Sequence, residues 1–260
     1  MNCLAIFDGC SKRFDMTIQQ EEVVLQTATG EMRCRIYRPE GERAYPSVIF
    51  YSEIFQITEP ISRTASFVAG HGYCVVVPEV FHELNTLGTV LAYDDAGKDK
   101  GNCDKFTKEL VAHDSDTVAI VDWIEAQEFT TSSIGTFGVC LGGHLAFRAA
   151  LNPKVQASSC LYATDLHSGA IPAGSRPQTL ALAGESQAEF MMVWGKQDPH
   201  VPDEGRGQIY RSMAEQGVNF SWHEFNAQHA FIRDEGNRYD PELASICYDL
   251  TLKLFNRCLC

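Results

Sequence analysis

The sequence of 260 residues lacks the features of several broad protein classes. It has no run of 18 or more apolar residues, so it predicts no membrane-spanning helix. Residues 1–12 have no basic stretch ahead of an apolar segment, which argues against a secretory signal peptide. Basic residues are few, and the net charge is −13. This balance disfavours nonspecific binding to nucleic acids or anionic membranes, although a local arginine can still attract an anionic ligand.

Paired cysteines and zinc motifs are also missing. None of the ten cysteines belongs to a C-x-x-C pair, and no H-E-x-x-H motif occurs. Cys34, Cys74, Cys160 and Cys247 lie inside apolar runs typical of strands or helices, where buried free thiols are common. We therefore expect reduced thiols, a cytoplasmic protein, and neither a metal nor another cofactor.

Strand-like and helix-like segments alternate along the chain. Residues 21–27 and 32–38 flank Thr29-Gly30 and predict a hairpin, whose second strand alternates as an edge strand would. Continuous apolar runs at 47–51 and 74–77 then predict buried parallel strands, and helix-like and strand-like segments alternate after them. The further strands are predicted at 47–51, 74–77, 133–139, 155–162, 190–194 and 218–225, and the helices at 61–69, 116–126, 141–151, 205–216 and 241–257. This alternation predicts one α/β domain over residues 1–260, with a mostly parallel sheet and helices on both faces.

Residues 82–105 do not fit the alternation. They are polar and highly charged, and their apolar residues follow no clear period. Long segments of this kind inside a domain are often lids over a functional site. A solvated surface insertion fits the same pattern, so both interpretations remain open.

A predicted strand-to-helix turn carries the sequence Gly138-x-Cys140-x-Gly142. This is the pattern of a nucleophile elbow, with cysteine in place of the usual serine, and no G-x-S-x-G competes with it. The glycines are expected because side chains beside so sharp a turn would collide. The free amides at the start of the helix favour a thiolate. A buried structural cysteine at a glycine-rich bend is the alternative interpretation.

Two other loops that follow predicted strands carry an acid and a histidine, Asp198 and His229. The carboxyl ends of parallel strands meet at one edge of a sheet, and the order nucleophile, acid, histidine is typical of α/β-hydrolases. We therefore predict a triad in which His229 takes the proton of the Cys140 thiol and Asp198 orients the imidazole. An aspartate in turn chemistry and a solvated loop histidine are the alternatives.

Five motifs extend over nearly the whole chain from about residue 20. They are Ser52-Glu53-Ile54-Phe55, Gly72-Tyr73 with Pro78-Glu79, Gly138-Val-Cys140-Leu-Gly-Gly143, Gly195-x-x-Asp198-x-x-Val-Pro202, and His229-Ala-Phe231 with Arg233. With these motifs the chain resembles the dienelactone hydrolase family, also called carboxymethylenebutenolidases. The resemblance implies an α/β-hydrolase fold and a cysteine-dependent carboxylic ester hydrolase that forms an acyl-cysteine. It also implies a small-molecule ester or enol lactone as substrate, which can carry a carboxylate, and a monomer or small homo-oligomer.

The resemblance implies roles for residues outside the triad. Glu53 matches a glutamate that contacts the resting cysteine and helps to deprotonate it, although a salt-bridged rim residue would look the same. The backbone amides of Leu141 and Ile54 would form the oxyanion hole. Arg233 matches an arginine that holds the substrate carboxylate, and an ordinary surface arginine is the alternative.

One family position is different in this chain. A second carboxylate-binding arginine is expected shortly after Pro78-Glu79, where the chain reads Phe81-His82-Glu83. This difference favours an ester of another shape or lower charge, with His82 or the segment 82–105 reshaping the pocket. The alternative functions are a broader carboxylesterase or thioesterase with the same triad, and a hydrolase-fold protein that binds a ligand without catalysis.

Overall fold

The structure, a computed structural model, describes residues 17–172 and 178–260. The strands are β1 (Ile18–Thr27), β2 (Gly30–Pro39), β3 (Tyr45–Tyr51), β4 (Cys74–Pro78), β5 (Thr130–Val139), β6 (Val155–Leu161), β7 (Glu189–Gly195) and β8 (Phe220–Phe225). The helices are α1 (Glu59–Ala69), α2 (Asp95–Thr107), α3 (Leu110–Glu125), α4 (Leu141–Ala149), α5 (Gln178–Ala181), α6 (Asp203–Glu215) and α7 (Pro241–Leu259). A short 3-10 helix, Ala183–Glu185, lies between α5 and β7.

The eight strands form a sheet in the order β1-β2-β4-β3-β5-β6-β7-β8. The β1–β2 hairpin is antiparallel, with Ile18 opposite Pro39 and Thr27 opposite Gly30, and β2 is also antiparallel to β4. From β4 to β8 every neighbouring pair is parallel. The predicted hairpin and the mostly parallel sheet are therefore confirmed.

The prediction that the second hairpin strand lies at the edge is wrong. β1 is the edge strand, and β2 pairs with a strand on each side. The alternation of β2 comes from its two faces, because Cys34 and Ile36 are buried in the core. Arg33 and Arg35, on the other face, form ion pairs with Glu22 of β1. The alternating pattern of β2 therefore reflects one apolar face and one charged face, and it does not indicate an edge strand.

Helices cover both faces of the sheet and bury two apolar clusters. On one face α3, α4 and α6 contribute Ile120, Phe147 and Ile209. On the other face α1 and α7 contribute Val68 and Leu254. The prediction of helices on both faces is confirmed. No helix in the two described ranges is long and apolar enough to cross a membrane.

Part of the segment 82–105 is a helix, which the sequence did not predict. α2 begins after Asp94, whose side chain accepts a hydrogen bond of 2.8 Å from the Gly97 amide. Its buried residues are only Gly97, Gly101 and Asp104. Because these residues are small or charged, the helix has no apolar stripe from which its period could be recognised.

The other predicted elements are present with boundaries shifted by a few residues. The largest shift is in α3, which begins at Leu110 and not at residue 116. Its first turns contain polar residues that resemble a loop, yet His113 and Asp116 are buried. The connection between β6 and β7, for which the sequence predicts neither a strand nor a helix, contains α5 and the 3-10 helix.

Candidate active site

Cys140 lies at the tip of the turn between β5 and α4. Its backbone has φ 59° and ψ −124°, a strained conformation for a residue with a side chain. The turn is held by the Cys140 amide, which donates to the Leu161 carbonyl at 3.1 Å, and by the Thr164 amide, which donates to the Cys140 carbonyl at 3.2 Å. A Cβ atom on Gly138 would lie 1.9 Å from the Gly142 carbonyl oxygen. Glycine is therefore required beside the elbow, as the motif predicts.

Asp198 and His229 lie on the loops that follow β7 and β8. The Asp198 Oδ2 and His229 Nδ1 atoms are 2.6 Å apart, and both side chains are buried. The backbone amide of His200 also donates to Asp198 Oδ1, at 2.8 Å. Burial would raise the pKa of the Asp198 carboxyl, but the hydrogen bond to His229 and its positive charge hold that pKa below its ordinary value. An ionised Asp198 therefore holds the ring by Nδ1 and leaves Nε2 for another partner.

Cys140 is the main charge partner of His229. Burial would lower the pKa of His229, but attraction to a negative charge on Cys140 and the hydrogen bond to Asp198 raise it to about 10. A protonated imidazole beside a thiolate is the ion pair of an activated cysteine nucleophile. The His200 ring lies edge-on to His229, with centroids 4.6 Å apart. Burial and the charge of His229 lower the pKa of His200, so the second ring stays neutral.

Glu53 and Arg233 lie beside Cys140 in the same cavity. The Glu53 Oε2 atom accepts hydrogen bonds from the Tyr93 hydroxyl at 3.2 Å and from Arg233 Nη1 at 3.4 Å. The Arg233 guanidinium also lies 4.1 Å above the centre of the Tyr93 ring. Among the described hydrogen bonds of Glu53, none goes to Cys140. In this state Glu53 is an ion-pair partner of Arg233, and this arrangement fits the alternative of a salt-bridged residue.

Leu141 and Ile54 lie on two elements next to Cys140. Leu141 is the first residue of α4, and Ile54 follows β3 and lines the cavity. Neither amide donates a hydrogen bond to another residue of the described chain. A Cβ atom on Gly101 of α2 would lie 2.6 Å from the Ile54 carbonyl oxygen, so α2 packs directly on Ile54.

A cavity of about 190 Å³ opens beside Cys140. Its walls come from the loops after β3, β6, β7 and β8, from the elbow and from α2. The sequence did not indicate six of the residues that line it, which are Lys98, Asn102 and Lys105 of α2, Thr164 after β6, His200 after β7, and Arg238 after β8. The three α2 residues are four and three positions apart, which is the spacing of one helix face. That signal can be recognised only once residues 95–107 are known to form a helix.

The residues at the position of the expected second arginine do not line this cavity. Lys108 Nζ lies 2.5 Å from Glu83 Oε2 and 2.6 Å from Asp116 Oδ2, and His82 Nε2 is 3.1 Å from Asp116 Oδ1. This buried ion network joins the loop after β4, the end of α2 and the first part of α3. Of the two candidates for reshaping the pocket, the segment 82–105 therefore lines it through α2, whereas His82 belongs to the network.

The same network contains a possible set of metal ligands. His82, Glu83 and Asp116 have ligand atoms within 4.8 Å of one another, the only such set within the described residues. The Lys108 ammonium lies between the two carboxylates and already supplies a cation. A metal ion at this position would have to displace it.

Comparison with known proteins identifies relatives along most of the chain. Residues 32–259 match the sequence model of the dienelactone hydrolase family. A protein of Saccharomyces cerevisiae, provisionally named a carboxymethylenebutenolidase, is 36% identical over 246 residues, which cover 90% of this chain and 89% of that protein. Carboxymethylenebutenolidase 1 of Cupriavidus pinatubonensis is 25% identical over 227 residues, covering 86% of this chain and 91% of that protein.

Solved structures show the same fold. A protein of Klebsiella pneumoniae subsp. pneumoniae, provisionally described as a dienelactone hydrolase, matches with a TM-score of 0.80 and 19% identity over 92% of this chain and 99% of that chain. An esterase of Pyrobaculum calidifontis matches with a TM-score of 0.65 and 14% identity, covering 95% of this chain and 88% of that chain. At these identities the likeness establishes the fold alone, and it confirms the predicted α/β-hydrolase fold. The match to the family model and the identity to the yeast relative show that the chain belongs to the dienelactone hydrolase family.

Proposed function

We propose that this protein hydrolyses a small ester or enol lactone through an acyl-cysteine formed on Cys140. The observation that carries the proposal is the position of His229 between Cys140 and Asp198, 2.6 Å from the Asp198 carboxylate, where the charge of Cys140 and the hydrogen bond to Asp198 raise the pKa of His229 to about 10. In this arrangement Cys140 is the nucleophile and protonated His229 is the acid for the leaving group. Membership of the family and the names of its carboxymethylenebutenolidase relatives support the same substrate class.

Acylation begins when the sulfur of Cys140 attacks the ester carbonyl carbon. As the C–S bond forms, the carbonyl electron pair moves to oxygen, and the Leu141 and Ile54 amides stabilise that charge. When the intermediate collapses, the bond to the leaving oxygen breaks and His229 gives that oxygen its proton. Asp198 keeps the imidazole oriented and compensates its positive charge during this step.

Deacylation reverses the proton movement. His229, now neutral, accepts a proton from a water molecule as that water attacks the thioester carbonyl. Collapse of the second intermediate breaks the C–S bond, releases the acid and restores the thiolate of Cys140 beside the protonated His229.

Glu53 and Arg233 link substrate binding to this chemistry. A substrate carboxylate is a strong partner for the Arg233 guanidinium, which lies in the cavity and is paired with Glu53 at 3.4 Å. When the substrate binds Arg233, Glu53 loses its ion-pair partner, and its carboxylate can accept the proton of any Cys140 that is not already a thiolate in the ion pair with His229. This exchange gives Glu53 the role implied by the family resemblance.

We expect this chemistry to occur in the cytoplasm and within one domain that includes residues 1–260. The eight cysteines of the described chain are all free, and four of them are buried. Free thiols in these numbers are typical of a reducing compartment.

The test is turnover of a substrate panel by the purified protein. The panel contains a carboxylate-bearing enol lactone, a carboxylate-bearing aryl ester and a neutral aryl ester, and Cys140→Ala is the control variant. We expect turnover that requires Cys140, and an acyl adduct on Cys140 that mass spectrometry detects after rapid quenching.

Each outcome of the panel favours one function. Faster turnover of the neutral ester than of both acids would favour a broader esterase. Failure of any ester to react, with Cys140 also inert to a thiol reagent, would favour a ligand-binding protein. Equal turnover by Cys140→Ala and the unchanged protein would overturn the acyl-cysteine mechanism.

A further inference from the structure

The active-site cavity concentrates positive charge in an acidic protein. The chain has a net charge of −13, yet the cavity is lined by four cationic side chains, those of Lys98, Lys105, Arg233 and Arg238. The carboxylate of Glu53 is the one acidic side chain that the described cavity walls contain. Because a cleft focuses the field of the charges that line it, this excess attracts an anionic ligand against the overall charge of the protein.

Two of the four cations are already paired. Arg233 lies 3.4 Å from Glu53, and Lys105 Nζ lies 2.9 Å from Asp165 Oδ2. All four of these side chains are largely buried. Each of these two ion pairs is neutral when no ligand is bound, so neither adds to the net positive charge of the cavity.

Lys98 and Arg238 are different, because neither forms an ion pair within the described chain. Lys98 is an exposed residue in the first turns of α2, and Arg238 is a half-buried residue of the loop that carries His229. Both side chains line the cavity that Cys140 and His229 also line. Two unpaired cations thus reach one cavity from two elements.

We propose that Lys98 and Arg238 form a subsite for a second carboxylate of the substrate, in addition to the carboxylate bound by Arg233. This inference rests on the proposed hydrolysis of an ester or lactone at Cys140, and it narrows the substrate to a dicarboxylate. A cavity of about 190 Å³ is below the ~300–1,000 Å³ common for ligand pockets, so the substrate is small.

This subsite replaces the expectation, drawn from the changed position after β4, that the ester has a lower charge. Glu83 is paired with Lys108 outside the cavity, so the loop after β4 supplies no cation to the substrate. α2 instead presents Lys98 to the cavity. The structure therefore assigns the second anionic contact to α2 and to the loop after β8.

The kinetic test compares three esters that share one leaving group and carry no, one or two carboxylates. We expect the unchanged enzyme to prefer the dicarboxylate. Lys98→Gln should raise KM for the dicarboxylate by ~5-fold and Arg238→Gln by ~10-fold, with kcat little changed. KM for the neutral ester should be unaffected. Lys100→Gln is the matched control, because it removes the same charge from α2 at a residue that pairs with Asp104 and does not line the cavity.

A binding test separates this inference from the proposed function, because it needs no turnover. Titration calorimetry with succinate and butyrate should show tighter binding of succinate to the unchanged protein, and the Lys98→Gln/Arg238→Gln double variant should lose that difference. Equal binding of the two acids, or equal loss of succinate binding in Lys100→Gln, would overturn the subsite. Absence of ester turnover together with selective succinate binding would overturn the hydrolase proposal and leave only the anion site.

Discussion

The two sides of the active-site cavity are held in place by different means. The triad side, named for the proposed triad of Cys140, Asp198 and His229, consists of loops that leave parallel strands of the central sheet. The α2 side, with Lys98 and Lys105, consists of a helix that buries only two glycines and one aspartate. Backbone ladders of the sheet position the reacting groups, whereas α2 depends on a few local contacts. The sheet therefore fixes the groups proposed to react, whereas α2 adds Lys98 to a substrate subsite that it shares with Arg238 of the loop after β8.

The contacts that hold the α2 side are few and specific. Gly101 packs on the carbonyl of Ile54. Before the helix, the Leu91 amide donates to the Phe55 carbonyl at 3.1 Å. After the helix, Lys108 joins the buried ion network. Substitutions on the triad side should therefore change the rate of chemistry, and substitutions on the α2 side should change stability or the shape of the site.

The largest effect is expected on the triad side, from Asp198→Asn. Loss of the carboxylate removes the acceptor that lies 2.6 Å from His229 Nδ1 and the charge that stabilises the imidazolium. We expect kcat to fall by ~10³–10⁴-fold, with the fold retained. Steady-state kinetics and circular dichroism measure the two quantities. A variant within tenfold of the original kcat would remove Asp198 from the triad.

Lys108→Met should mainly affect stability, because it lies on the α2 side away from the reacting groups. The substitution leaves the buried carboxylate of Asp116 and the partly buried carboxylate of Glu83 without their shared cation. We expect the free energy of unfolding to fall by ~3–5 kcal/mol in urea denaturation. Lys253→Met removes an exposed lysine paired with Asp249 and should cost no more than ~1 kcal/mol. Equal effects of the two substitutions would contradict a buried anchor for α2.

Gly101→Ala tests whether α2 also positions the oxyanion amide. The added Cβ would lie 2.6 Å from the Ile54 carbonyl oxygen, so α2 or Ile54 must move. A displacement of this order should lower kcat by ~10–100-fold. Gly207→Ala in α6 is the control, since its Cβ would meet only the flexible side chain of Arg211 at 3.2 Å. If Gly101→Ala keeps full activity, the packing of α2 on Ile54 has no part in catalysis.

The same two sides differ in how much the sequence reveals about them. Cys140, Asp198 and His229 each follow a strand of the parallel part of the sheet, and parallel-sheet geometry brings residues that follow such strands close together. α2 has no apolar stripe, so its sequence resembles a charged loop. Lys98 and Arg238 meet at one cavity from distant parts of the chain, which no local pattern encodes. The ion pair between Glu53 and Arg233 also could not be predicted from the sequence, because it depends on the packing of two loops.

The smallest expected effect concerns the alkaline limb of the profile of kcat/KM against pH. This limb measures the pKa of His229 in its ion pair with Cys140, on the triad side. The pKa of His229 is raised from its ordinary value of 6.5 to about 10, so the imidazolium persists at neutral pH and is lost as the pH rises through about 10. The contribution of the charged imidazole to the free energy of unfolding is complete below pH 6.5 and is lost as the pH rises from there through about 10. Because acylation needs this proton for the leaving group, kcat/KM should halve near the pKa and fall ~tenfold for each further pH unit. In Asp198→Asn the limb should move to lower pH, since one of the two groups that raise the pKa is gone, whereas Lys98→Gln should leave it in place. If kcat/KM of the unchanged enzyme instead halves near the ordinary histidine pKa of 6.5, Cys140 and His229 do not form an ion pair in the resting enzyme.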